Sequence, residues 1–149
     1  MEKAFYLRML SHYDKHSIII VMDFMLFSFE QLDMWKLSMD LVSDIYELLK
    51  KFPENERFAL SPQIRRAAIS IPSNIAEGTG RFSCKEKLRF NEIAMGSLAE
   101  LMCQLIIAQR AGYIDDETLS EFKSKSQRIG KMLSGYRRAM INKSIDSEN

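Results

Sequence analysis

Ser61-Pro62-Gln63-Ile64-Arg65-Arg66-Ala67-Ala68-Ile69-Ser70-Ile71-Pro72-Ser73-Asn74-Ile75-Ala76-Glu77-Gly78-Thr79-Gly80 is the stretch whose reading decides the fold. Ile64, Ala68, Ile71 and Ile75 recur at four-three-four spacing, which puts them on one apolar stripe of a helix. Ser61 is placed to cap the first turn, and Pro62 suits the first helical position because its missing N–H has no partner there. Gly78 and Gly80 can supply the positive φ that stops a helix. Pro72 falls inside the pattern. It removes one backbone bond and sets its ring against the carbonyl of Ala68, at a cost of ~3 kcal/mol that tertiary packing has to offset. The stretch reads as a kinked core helix with Arg65 and Arg66 just inside its start.

Upstream, residues 32–52 predict another helix. Leu32, Trp35, Met39, Val42, Tyr46 and Leu49 form its seam at three-four spacing, widened by Leu41, Ile45 and Leu48. Trp35 reads as a core anchor. The run ends before Pro53, because a residue preceding proline avoids the α region.

Downstream, Ser83 with Glu86 three residues on is a capping box that opens a third helix, running to about residue 111. Its seam is Leu88, Asn91, Met95, Leu98, Met102, Leu105 and Gln109, with Ile93, Ala94, Leu101 and Ala108 as a second apolar side. A helix apolar on two sides touches more than one neighbour. Asn91 could fix register within the seam or point to a wet edge. Gly112 closes this helix, and Asp115 and Asp116 are placed to cap a fourth over residues 116–141. The seam of that helix is Leu119, Phe122, Ser126, Ile129, Leu133, Tyr136 and Met140. Arg137, Arg138 and Lys143 sit near its end, where cations suit the helix dipole.

The expected fold is therefore all-α: an antiparallel up-down-up-down four-helix bundle with an N-terminal extension. The extension covers residues 1–28, the bundle 29–141, and a frayed polar tail 142–149. The apolar run from Ile18 to Phe29, broken by Asp23 and Ser28, is too short for a membrane span of ~20 residues. It also lacks the flanks of a signal peptide. It could be a short helix, a docking strand or an arm over a neighbouring subunit.

At 149 residues the chain can hold one domain with its own core, and 46% hydrophobic residues suit a globular protein. A formal charge of +1 argues against a polybasic tail but leaves local patches open. Cys84 and Cys103 lie on one predicted helix, ~28 Å apart at 1.5 Å per residue, too far to bridge. They read as small buried residues of a reduced cytoplasmic compartment.

No catalytic constellation is expected. His12 and His16 are the two histidines, and both precede the bundle. That leaves no Glu-x-x-His pair for a di-iron site, no third ligand for a metal, and no base for a nucleophile. The stretch Gly78-Thr79-Gly80-Arg81-Phe82-Ser83-Cys84-Lys85 lacks the Gly-Lys-Ser/Thr ending of a phosphate loop. No cofactor is implied. What remains is a basic cluster, Arg81, Lys85, Lys87 and Arg89 around the start of the third helix, against the single carboxylate Glu86. Such a cluster is either a solvated face or a contact for a phosphate backbone. Phe82 and Phe90 beside it could stack on bases, although core packing suits them better.

The run from Gln63 to Gly78 closely resembles the signature of the four-helix-bundle proteins encoded in intervening sequences of bacterial 23S ribosomal RNA genes. So do Phe29-Glu30-Gln31-Leu32-Asp33-Met34-Trp35, Gly96-Ser97-Leu98-Ala99-Glu100-Leu101 and Gly112-Tyr113-Ile114. The accessory variability determinant of diversity-generating retroelements is similar too. The resemblance implies a homopentamer of antiparallel bundles around a central channel, in a bacterial cytoplasm. In the retroelement relative it implies a basic, nucleic-acid-binding partner of a reverse transcriptase. Arg65 and Arg66 match the family's paired basic positions, and Arg81 matches its basic residue after the glycines; Lys85 and Lys87 fall in a variable basic stretch. The resulting expectation is a non-enzymatic, self-associating protein that binds RNA or DNA through Arg65, Arg66, Arg81, Lys85, Lys87 and Arg89, with no membrane partner. The alternative is a structural or protein-interaction scaffold.

Overall fold

A computed structural model describes residues 28–146. The expectations for residues 1–27, His12 and His16 among them, and for 147–149 lie outside the described residues. A 3-10 turn, Ser28–Gln31, leads into α1 (Asp33–Leu49), and a second, Glu54–Glu56, precedes α2 (Leu60–Thr79). Then come α3 (Cys84–Arg110) and α4 (Asp116–Asp146). The described chain is all-α, and its four helices form one fold with no strand among the described residues.

Opposed residues give the direction of α2 against α3 and of α3 against α4. Ser70 meets Ser97 and Gly78 meets Phe90, so residue numbers rise along α2 as they fall along α3. Gly130 stands against Leu98 and Arg137 against Glu92. Asp44 of α1 pairs with Lys125 of α4, and Tyr46 of α1 lies beside Arg65 of α2. Leu41, Ile45, Ile64, Ile71, Leu101, Leu105, Ile129 and Leu133 are fully buried between the helices. Each contributes about 1.5–3 kcal/mol relative to exposure.

The stripe of α2 is as the spacing predicts, with Ile64, Ala68, Ile71 and Ile75 all buried. The helix continues through Pro72, which is itself buried. Its ends differ from expectation. The helix starts one residue earlier, so Ser61 is a buried first-turn residue and not the cap; the Leu60 N–H is taken up by Glu56 Oε2 at 3.0 Å. Gly78 lies inside the helix and Gly80 has φ −76°, so neither supplies a positive φ. Gly78 supplies space instead: a Cβ there would stand 3.1 Å from the Cβ of Phe90.

The seams of α1 and α3 are rotated from expectation. In α1 the buried row is Met34, Ser38, Leu41, Ile45 and Leu48, while Met39 and Tyr46 are exposed and Trp35 is half-buried against the core and Phe29. Polar Ser38 hid this row in the sequence; it is fully buried because its hydroxyl donates to the Trp35 carbonyl at 2.8 Å. In α3 the expected second side, Ala94, Leu101 and Ala108, is the core together with Leu98 and Leu105. Met95 and Met102 flank it, and Ile93 is exposed. Among the described helices, α3 is the one long and apolar enough to cross a membrane by length and composition. Its row of Ala94, Leu98, Leu101, Leu105 and Ala108 packs in the core against α2 and α4, while Ile106 and Ile107, like Ile93, are exposed. The α4 seam is as expected, with Phe122, Ser126, Ile129 and Leu133 buried, but the helix runs on to Asp146, so residues 142–146 are helical.

Candidate nucleic-acid interface

The basic cluster sits where α2 ends and α3 begins. Ser83 caps α3: its hydroxyl accepts from the Glu86 N–H at 3.2 Å, as the capping box requires. The remaining first-turn amides of α3 have no intrahelical acceptor and point out of the bundle end with the positive pole of the helix.

Arg81 is not a free cation. Its guanidinium pairs with Glu77 and lies 4.7 Å over the ring of Phe90. Phe90 is buried and fills the notch at Gly78, so it is a packing residue. Phe82, by contrast, is 66% exposed at the tip of the turn. Arg89 faces Glu86 at 3.8 Å. Lys85 and Lys87 make no ion pair among the described residues.

Arg65 and Arg66 do not join this group. They lie about fifteen residues back along α2, roughly 22 Å at 1.5 Å per residue. Both are exposed: Arg65 stacks 5.5 Å over Tyr46, and Arg66 donates to Gln63 Oε1 at 3.0 Å. With Pro62, Ile69 and Ser70 they line a shallow open groove. The six expected residues thus divide into two groups at different heights of the bundle.

Sequence reasoning missed a third contributor. Because α4 runs opposite to α3, its end returns to the start of α3. Arg137 reaches Glu92 at 3.8 Å, and Arg138 and Lys143 add exposed cations without an ion pair among the described residues. The signal was present in the sequence, since an antiparallel hairpin must join those two ends, yet these residues read only as dipole partners. Tyr136 borders the same region; burial pushes its phenol pKa up, with the nearby Cys84 thiol adding to the effect. Cys84 is half-buried and Cys103 exposed, so neither is the buried residue expected. Both are free thiols, and the described residues contain no group of His, Cys, Asp and Glu able to hold a metal ion.

Four helices packed around one core, with cations gathered at one end, define an all-α bundle protein. The chain matches the family of the 23S rRNA-intervening sequence protein over residues 30–135 and belongs to it. It is also similar to a crystal structure from Bacteroides thetaiotaomicron, a protein of unknown function from the S23 ribosomal protein family. The two share 27% identity with a TM-score of 0.65, over 70% of this chain and 97% of that one. No curated protein matches the chain.

Proposed function

We propose that this is a non-enzymatic, self-associating accessory protein of the bacterial cytoplasm that binds structured RNA through the basic end of its bundle. The observation that carries the reading is the charge arrangement where α3 starts and α4 ends. The carboxylates there, Glu77, Glu86 and Glu92, are engaged by Arg81, Arg89 and Arg137. Lys85, Lys87, Arg138 and Lys143 are left to meet phosphates. Membership of a family named for an insertion in ribosomal RNA favours RNA over DNA or a reverse transcriptase as the partner. Contacts of this kind are sequence-tolerant and weaken with salt. Self-association is supported by the exposed Ile93, Ile106 and Ile107 of α3 and by Met39, Tyr46 and Ile69 on the α1–α2 side, while the pentamer rests on the family resemblance.

The test is binding of the full chain to a structured ribosomal-RNA fragment across a salt series. Affinity should fall linearly with salt on logarithmic axes, by about 0.7–0.9 in slope per phosphate contact. Replacing Lys85, Lys87, Arg138 and Lys143 with alanine should flatten that slope. No binding at low salt refutes the reading. The scaffold alternative, supported by the same exposed isoleucines and the near-zero net charge, then takes its place.

A further inference from the structure

Helix α1 carries two apolar rows, and the bundle core covers one of them. Met34, Ser38, Leu41, Ile45 and Leu48 are the buried row. Trp35, Met39, Val42 and Tyr46 form a second row beside it, at four-three-four spacing. Trp35 and Val42 are half-buried, whereas Met39 is 39% and Tyr46 43% exposed. Arg65 of α2 lies over Tyr46, so Ile69, one turn further along the same face of α2, borders this row; it is exposed as well. Single exposed apolar side chains are ordinary, but a contiguous apolar stripe between two helices is a docking surface.

The chain itself enters at the head of this row. Phe29 packs on Trp35 with ring centroids 5.0 Å apart, and the Ser28–Gln31 turn lies against α1 and α2. Immediately upstream the sequence reads Ile18-Ile19-Ile20-Val21-Met22-Asp23-Phe24-Met25-Leu26-Phe27, in which Asp23 is the one polar residue. A run of that composition needs an apolar partner. The lengths agree. From Trp35 to Tyr46 the row is about 16 Å long at 1.5 Å per residue. Residues 18–27 span about 15 Å if helical and up to about 33 Å if extended. The exposed Ile93, Ile106 and Ile107 are less accessible to this run, because they lie on α3, diagonally across the bundle from α1. The family match begins at residue 30, so the run lies outside it.

We propose that the α1–α2 face is the docking surface for the chain's own residues 18–27, which run back along α1, antiparallel to it, over Trp35, Met39, Val42, Tyr46 and Ile69. The Phe29–Trp35 contact is the first step of that path. The second apolar row of α1 then has an occupant within the chain. This assigns the α1–α2 face to the upstream segment and leaves the exposed isoleucines of α3 as the surface for a second copy. The inference stands apart from RNA binding and survives its failure.

The deciding experiment is photo-crosslinking of the full chain. The photoreactive residue p-benzoylphenylalanine is placed at position 39 in one sample and at position 46 in another; both sites are exposed, so the core is left intact. Products are sized on a denaturing gel and mapped by peptide mass spectrometry. The expected product keeps the mass of a single chain and joins the label to residues 18–27, with the label at 46 landing nearer residue 18 than the label at 39 does. A product of twice the mass places a second copy on the face and overturns the proposal. Adducts that all fall outside residues 18–27, adducts in the reverse order, or no adduct overturn it too. If a label shifts the thermal melt, the wild-type chain decides instead. NOEs from the Tyr46 ring to methyl groups of residues 18–27 that persist on dilution are then expected, and their absence is the overturning result.

Discussion

The two hairpin turns at α2–α3 and α3–α4 sit at opposite ends of the bundle and solve the same problem differently. The first, Gly80 to Ser83, is bordered by Arg81, Lys85 and Lys87 and has no residue at positive φ. The glycine that matters beside it, Gly78, is back inside α2, where it lets Phe90 approach. The second turn is bordered by Asp115, Asp116 and Glu117, and its Gly112 has φ +77° with open space around it. One glycine is there for room and the other for backbone handedness. The charges differ in sign as well, so a net charge of +1 conceals a molecule with a basic turn and an acidic one. Total charge therefore says little about whether such a protein meets a polyanion.

The sharpest way to break the comparison is substitution at the two glycines. Gly78→Val should cost at least about 1–3 kcal/mol, because the added atoms meet the Cβ of Phe90. Gly112→Ala should cost about 1–2 kcal/mol from the left-handed conformation alone. Asparagine discriminates further: it tolerates the left-handed region, so at 112 it should be milder than alanine, whereas at 78 it should be worse. Urea midpoints for these variants, with Gly78→Ala as the alanine reference at that site, decide it, and equal ranking of asparagine and alanine at both sites would dissolve the distinction.

Next in size is the cap of the basic turn. Ser83→Ala should cost about 1 kcal/mol, read from the same midpoints, since the Glu86 N–H loses its acceptor. The smallest effect is pH dependence at the acidic turn. Tyr113 donates to Glu56 Oε1 at 2.9 Å, and that bond, then partial burial, holds its phenol pKa above the usual value. The raised value stabilises the fold below about pH 10, and this stability fades as pH climbs through the folded-state pKa. The Asp115 carboxylate accepts from the Thr118 N–H at 2.8 Å and is held below its usual pKa by Thr118. Its contribution is present above about pH 4 and fades as pH falls through the lowered pKa. Thermal melts of Tyr113→Phe and Asp115→Asn should lose the alkaline and the acid slope respectively.

Helix number, order and most boundaries were legible because the apolar spacing is strong in all four helices. The Ser83 cap and the Gly112 stop were legible because each rests on local chemistry. The rotation of α1 and α3 was not, since two adjacent apolar rows compete in each and only the neighbours decide which is buried. Ser38 and Ser97 made this harder: both are buried hydroxyls that pair locally or across helices, and neither continues the apolar spacing. For the candidate site, Lys85, Lys87 and Arg89 were visible as a run. Arg138 and Lys143 were not, because they arrive through tertiary direction. That Arg65 and Arg66 stand apart from that run was legible, because the starts of α2 and α3 lie at opposite ends of an antiparallel hairpin.

The Asp44–Lys125 bridge between α1 and α4 has a consequence in time. It closes over 81 residues, whereas the Ser70–Ser97 contact closes over 27. Shorter loops close at lower entropic cost, so the α2–α3 hairpin is the natural early structure and the α1–α4 edge the last to shut. That edge behaves like a seam sewn at the end of assembly. Loosening it with Asp44→Ala should speed unfolding while leaving the refolding rate nearly unchanged.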